Sequence, residues 1–132
     1  MPNKRDIKLD EYGISKYAYR ELLNFCLQYD EKKQQLTAIR DLNAVAYNGT
    51  PHGSSISNPT QDKAERAARL SNDIKLIEQT AIETDSGIYQ DIISNVTNIN
   101  MTYEVLNPPC GRRQFYTLRR KFFFILNKNK NG

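Results

Sequence analysis

The chain has 132 residues, of which 39% are hydrophobic and 26% charged, with a formal net charge of +4. That length suits one domain, or one domain with a small appended module, and it buries roughly two thirds of an unfolded chain's surface without a disulfide framework. The longest apolar run, Phe122 to Leu126, falls far short of the ~20 residues that span a bilayer, so no membrane role is expected.

Residues 1–12 are polar and charged without a sustained period, as in a mobile arm, and they lack the apolar core of a secretory signal. Ser15 suits an N-cap, because its hydroxyl can accept from an unpaired amide of the first turn. A helix is expected from Lys16 to Gln28, with Ala18, Leu22, Phe25 and Cys26 on one face and Tyr19 and Leu23 widening it. Asp30 can cap a second helix from Glu31 to about Leu42, whose apolar members are Leu36, Ile39 and Leu42. Residues 43–58 carry two Gly, one Pro and several Ser and Asn, which compete with regular structure, so this stretch is expected to be a loop.

Asn58-Pro59 opens the longest helix, expected to reach about Thr84. Ala67, Leu70, Ile74, Ile77 and Ala81 alternate at three and four, the spacing of a helix seam, with Ala64 and Ala68 beside it. The seam is either an intramolecular bundle core or a dimer contact through Leu70, Ile74 and Ile77. Asp85-Ser86-Gly87 breaks this helix. Ile88, Ile92, Ile93 and Val96 mark a short helix ending near Thr97, and Asn98 to Asn100 form a turn. Thr102 caps a brief segment, Tyr103 to Leu106, which Pro108-Pro109 stops. A last helix is expected from Gly111 to Asn127, followed by a frayed tail. The expected class is therefore all-α: a small helical bundle at 13–97 with a long central helix, then a separate basic module at 98–132.

Charge is distributed unevenly. Residues 105–132 hold seven of the 19 basic residues and no acid, which leaves 12 basic against 15 acidic residues in the remainder. A one-signed segment of that density is the footprint of a polyanion-binding element. On the last helix, Phe115, Leu118, Phe122, Ile125 and Leu126 fall within an arc of about 100°, the expected buried side. Arg113, Tyr116, Thr117, Arg120 and Lys121 lie outside it, and Arg112 and Arg119 flank it. Such a face suits the DNA major groove. Arg112, Arg113, Gln114, Tyr116 and Thr117 sit at the base-reading end; Arg113, Tyr116, Thr117 and Arg120 are the expected base contacts, and Arg112, Arg119 and Lys121 reach phosphates. The alternative is a solvated basic face on a packing helix. Phe123 and Phe124 interrupt the polar side, so they either pack beneath the bundle or meet a partner chain.

Catalytic signals are weak. There is no Gly-rich phosphate loop, HExxH, GxSxG or Cys/His cluster. His52, the sole histidine, stands in the Gly/Ser stretch without an orienting carboxylate nearby in sequence. Cys26 and Cys110 are expected to be unbridged; Cys110 sits at a helix N-terminus, which can lower a thiol pKa. No enzyme activity, metal or cofactor is expected.

Several stretches together carry a family resemblance: Gly13-Ile14-Ser15-Lys16, Tyr19-Arg20-Glu21-Leu22, Phe25 to Tyr29, Ser57-Asn58-Pro59-Thr60 and Leu76 to Ala81. The later ones are Tyr103-Glu104, Pro109 to Tyr116 and Arg119 to Phe123. This pattern, spanning residues 9–127, resembles small phage and prophage late-gene transcriptional regulators of the RinA and ArpU type from Gram-positive bacteria. Their C-terminal part is similar to the helix-turn-helix of sigma-factor region 4. The resemblance implies a phage-encoded protein acting in the cytoplasm of a bacterial host. It would bind double-stranded DNA as a homodimer, with host RNA polymerase as a further partner. Tyr103 to Leu106 would be the supporting helix, and Gly111 to Lys121 would open the recognition helix, 111–127. The competing expectation is a phage protein-interaction module that inhibits a host nucleic-acid-binding or defence enzyme.

Overall fold

Ser15 caps the first helix as its position predicts: its Oγ accepts from the Ala18 amide at 3.1 Å. A computed structural model describes residues 13–49 and 57–131, with side-chain surroundings for 13–42 and 60–131. The expected arm at 1–12 and His52 lie outside the described residues. The chain is all-α, with α1 Lys16–Leu27, α2 Tyr29–Gly49, α3 Ser57–Thr84, α4 Tyr89–Thr97, α5 Tyr103–Leu106 and α6 Arg112–Asn131. No strand occurs among the described residues.

The connections follow local chemistry. Asp85 Oδ1 accepts from the amides of Gly87 and Ile88 at 2.8 and 3.1 Å, which turns the chain from α3 into α4. Thr102 Oγ1 accepts from the Val105 amide at 3.3 Å and caps α5. Asn107, in the left-handed region at φ 46°, ends α5 with its amide on the Tyr103 carbonyl, 2.8 Å away.

Several boundaries differ from expectation. α2 begins at Tyr29, which puts Asp30 and Glu31 in its first turn where the helix dipole favours acids, and it runs on to Gly49. The first half of the expected loop at 43–58 is therefore helical. Ala44 and Ala46 carry the highest helix propensity, and Gly49 closes the element. Residues 57 and 58 likewise belong to α3. At the other end, α6 extends to Asn131 where a frayed tail was expected. Asn129 holds that end to α3: its Nδ2 donates to Thr80 Oγ1 at 3.1 Å and to Glu83 Oε1 at 2.8 Å.

The chain divides into two compact units, and not at the expected boundary between 97 and 98. Residues 29–75 form one. Within it Leu36, Ile39, Leu70 and Ile74 are buried, and Lys32 Nζ stands 3.0 Å from Asp73 Oδ2, tying α2 to α3. Leu42 is exposed, contrary to its expected place on the α2 face. Successive steps of three residues each turn about 60° away from a fixed helix face, so the third member leaves it.

The other unit joins residues up to Gln28 with those from Leu76 onward, so 98–131 are not a module apart. Here α1 packs on α4 and α6, and α4 on α5. Leu22, Cys26, Ile77, Ala81, Ile92 and Val96 are buried, together with Phe115, Phe122, Phe123 and Leu126 of α6. Phe123 meets Tyr19 edge-on at 5.0 Å and Phe122 at 5.1 Å. Contacts of this kind add about 0.5–1.5 kcal/mol beyond area burial. Of the residues considered for a dimer contact, Leu70, Ile74, Ile77 and Phe123 are all buried within the single chain, and only Phe124 is partly exposed. The seam spacing thus serves interior packing, and these four leave no surface for a second copy.

Candidate nucleic-acid interface

The segment leading into α6 is fastened before the helix begins. Tyr103 donates its hydroxyl to the Cys110 carbonyl at 2.6 Å, and its ring lies 5.6 Å from that of Phe115. One turn of helix, a left-handed asparagine and two prolines thereby deliver Gly111 to a defined place, and the Phe115 amide bonds back to the Gly111 carbonyl at 2.9 Å. The α5 support is a single turn of four residues. Cys110 does not gain acidity from this position. Burial, followed by the charges of Asp85 and Asp91, pushes its thiol pKa up.

The buried arc of α6 is not the expected one. Phe115, Phe122, Phe123, Leu126 and Arg120 are buried, while Leu118 and Ile125 are only partly so. Taken at the helical period, the inward side is rotated by about 90° from the one read off the apolar pattern. Two of the expected DNA contacts are consequently drawn inward. Arg119 donates through Nε to Asn95 Oδ1 at 2.7 Å and through Nη1 to the Tyr19 hydroxyl at 2.9 Å. Its guanidinium also lies 5.1 Å from the Phe123 ring centre. Arg120 is 6% exposed; its Nη2 donates to Thr117 Oγ1 at 3.1 Å, and its Nη1 is buried without a hydrogen-bond partner among the described residues. Arg120 is therefore corrected from a surface contact to a buried residue, and Arg119 to a part-buried one engaged by its own chain. Phe123 itself held the missed signal: centring the inward side on Phe115, Phe122 and Phe123 places Arg119 in the middle of it, where its aliphatic stem can pack.

The remaining expected contacts stay together on the outside. Arg113, Gln114, Thr117 and Lys121 are exposed along one side of α6. Arg112 is half exposed at its flank, paired with Glu104 and stacked over the Tyr103 and Tyr116 rings at 5.9 and 5.1 Å. Tyr116 is partly buried, edge-on to Phe115 at 5.7 Å. Lys128 and Lys130, further along, lie over the rings of Phe124 and Phe25. The outward side thus offers two exposed cations, an amide and a hydroxyl, a set able to meet phosphates and base edges.

A groove elsewhere in this unit has no counterpart in the sequence reading. An open groove of about 550 Å³ is lined by Tyr17, Arg20, Glu21, Asn24, Phe25 and Lys130 among others, with Tyr17 74% exposed. No group of three or more His, Cys, Asp or Glu able to hold a metal ion occurs among the described residues, and no described helix is long and apolar enough to cross a membrane. No family model, curated protein or solved structure matches the chain.

Proposed function

We propose that this protein is a phage or prophage DNA-binding transcriptional regulator that lays the N-terminal half of α6 in the major groove. One observation carries the proposal: the exposed side of α6 presents Arg113, Gln114, Thr117 and Lys121, within a stretch, 105–132, that contains no acid. Arg113, Gln114 and Thr117 stand at the end of the helix that reads bases, while Lys121 and Arg112 meet phosphates. Phe115 and the Tyr103 bond support the approach by fixing the turn ahead of the helix. The resemblance to RinA- and ArpU-type regulators supports the same reading. It also adds a helix-turn-helix role for α5 and α6, pairing of two copies and contact with host RNA polymerase. Pairing would use surface other than the buried Leu70, Ile74, Ile77 and Phe123.

The test is a gel shift of fragments of the encoding phage genome at several salt concentrations. Wild-type protein retards a promoter-containing fragment, and affinity falls steeply with salt as condensed counterions are released. Arg113→Ala with Lys121→Ala lowers affinity and flattens the salt slope by about 1 for each phosphate no longer neutralised. Unchanged retention by the folded double variant would overturn the proposal.

Withdrawal of Arg119 and Arg120 from the surface favours a second reading, a module that binds and inhibits a host nucleic-acid-binding or defence enzyme. A stoichiometric protein partner that survives nuclease in a host-lysate pull-down, with no gel shift, would select it.

A further inference from the structure

Thr117 differs from Thr84 and Thr97 in the bond its hydroxyl makes. Thr84 donates its hydroxyl to the Thr80 carbonyl at 2.8 Å, and Thr97 donates to the Ile93 carbonyl at 2.6 Å. This bond to the carbonyl four residues back is the usual resting place for a helical threonine's proton. Among the described residues Thr117 makes no such bond. Its Oγ1 instead accepts from Arg120 Nη2 at 3.1 Å, while the residue itself is exposed. A hydroxyl has one proton and two lone pairs. With one lone pair held from the inner side by a guanidinium, the proton is left to point outward, and the charged donor strengthens the O–H as a donor in turn.

Arg120 carries the second observation. It is 94% buried, and among the described residues its Nη1 has no hydrogen-bond partner and no carboxylate pairs with it. A buried charge without a counter-charge is costly, and an apolar residue of similar volume often does as well or better for stability. Arg120 is thus poorly explained by the fold alone, and its one bond leads to the face that carries the exposed polar groups.

We infer that Arg120 is a positioning residue that holds the Thr117 hydroxyl as an outward donor. It thereby sets a preference for a hydrogen-bond acceptor on a base edge, such as guanine N7 or O6 or thymine O4, over the amino donor of cytosine. The inference rests on the DNA-binding reading above and adds a specificity determinant to it. The guanidinium does not touch the nucleic acid; it acts through Thr117.

The experiment compares wild type, Arg120→Met, Thr117→Val and the double variant. Each is bound to a randomised duplex library that is sequenced before and after selection, alongside salt titrations and thermal melting. Wild type enriches an acceptor-bearing base at one position. Each single variant weakens that preference by about 3- to 10-fold, the worth of one hydrogen bond, and the double variant weakens it no further. The salt slope stays the same in all four, and Arg120→Met melts at the wild-type temperature or above it. Arg120→Lys, which retains a donor, keeps part of the preference. Where the enriched base is a purine, its 7-deaza analogue reproduces the Thr117→Val loss; methylphosphonate linkages do not. A preference unchanged in folded Arg120→Met, additive single effects, a reduced salt slope or sensitivity to methylphosphonate would each overturn the inference. Duplex binding with a preference indifferent to Arg120 removes this inference alone. No duplex binding by wild type removes the DNA reading as well.

Discussion

The guanidinium of Arg119 donates through Nη1 to the hydroxyl of Tyr19 across 2.9 Å, joining α6 to α1 over 100 residues of chain. The same guanidinium reaches Asn95 on α4, so one side chain links three helices of its unit. Tyr19→Phe keeps the edge contact with Phe123 but leaves a part-buried charged donor unpaired. It should cost about 1–3 kcal/mol. Arg119→Ala should cost at least as much, and the double variant less than the sum. Urea unfolding midpoints check both. On the proposed DNA-binding reading, the salt dependence of duplex binding should be unmoved by either change, since Arg119 is engaged by Tyr19 and Asn95.

Glu104 pairs with Arg112 in a contact whose partners are 63% and 48% exposed. Exposed pairs of this kind are worth about 0–1 kcal/mol. Glu104→Gln should therefore leave the melting temperature almost unchanged; on the proposed DNA-binding reading it should also raise duplex affinity, because Arg112 is released and an acid next to the proposed interface is removed. A filter-binding titration at low and moderate salt checks the sign.

Phe123 and Phe124 are neighbours with different surroundings, one fully buried and the other partly exposed. Phe123→Ala opens a cavity and should cost about 3–5 kcal/mol. Phe124→Ala should cost clearly less. Similar losses at both positions in denaturant melts would contradict the packing described for α6.

The Cys110 thiol is held above its ordinary pKa by burial first, then by Asp85 and Asp91. At mildly alkaline pH it should alkylate more slowly than free cysteine, with Asp85→Asn and Asp91→Asn each speeding the reaction. The native state keeps this proton more firmly than the unfolded chain does. The linked stability is therefore full below the ordinary thiol range and is lost as pH rises through and beyond it. Mass-spectrometric labelling rates across that range, with Cys110→Ser as the blank, provide the measurement.

Tyr103→Phe removes the 2.6 Å bond to the Cys110 carbonyl while retaining the ring contact with Phe115. The expected cost is about 0.5–1.5 kcal/mol. Hydrogen exchange should quicken at the start of α6 more than at its end, where Asn129 is still anchored.

Legibility varied with the range of the interaction. Ser15, Asp85 and Thr102 bond to amides two or three residues away, so their caps can be read directly from neighbouring letters. Asn43 to Gly49 mislead in the other direction. The Asn and Gly letters suggest a loop and outweigh the helix-forming alanines between them, although a helix already under way continues more readily than one starts. The far end of α6 is helical rather than frayed because Asn129 is anchored on Thr80 and Glu83, nearly 50 residues earlier, and no local pattern reports that anchor.

The order of amino acids by itself determined an all-helical chain, the caps at Ser15 and Thr102 and the break at Asp85, and the concentration of positive charge after residue 104. These follow from local hydrogen bonding, periodicity and counting. Tertiary structure alone decided which side of α6 faces inward, and hence that Arg120 is buried and Arg119 part-buried against its own unit while Arg113 and Lys121 remain outside. A helical period fixes the angles between side chains but leaves rotation about the axis open. Tyr19, Asn95 and the Phe123 contacts set that rotation, and they meet only when distant segments pack together.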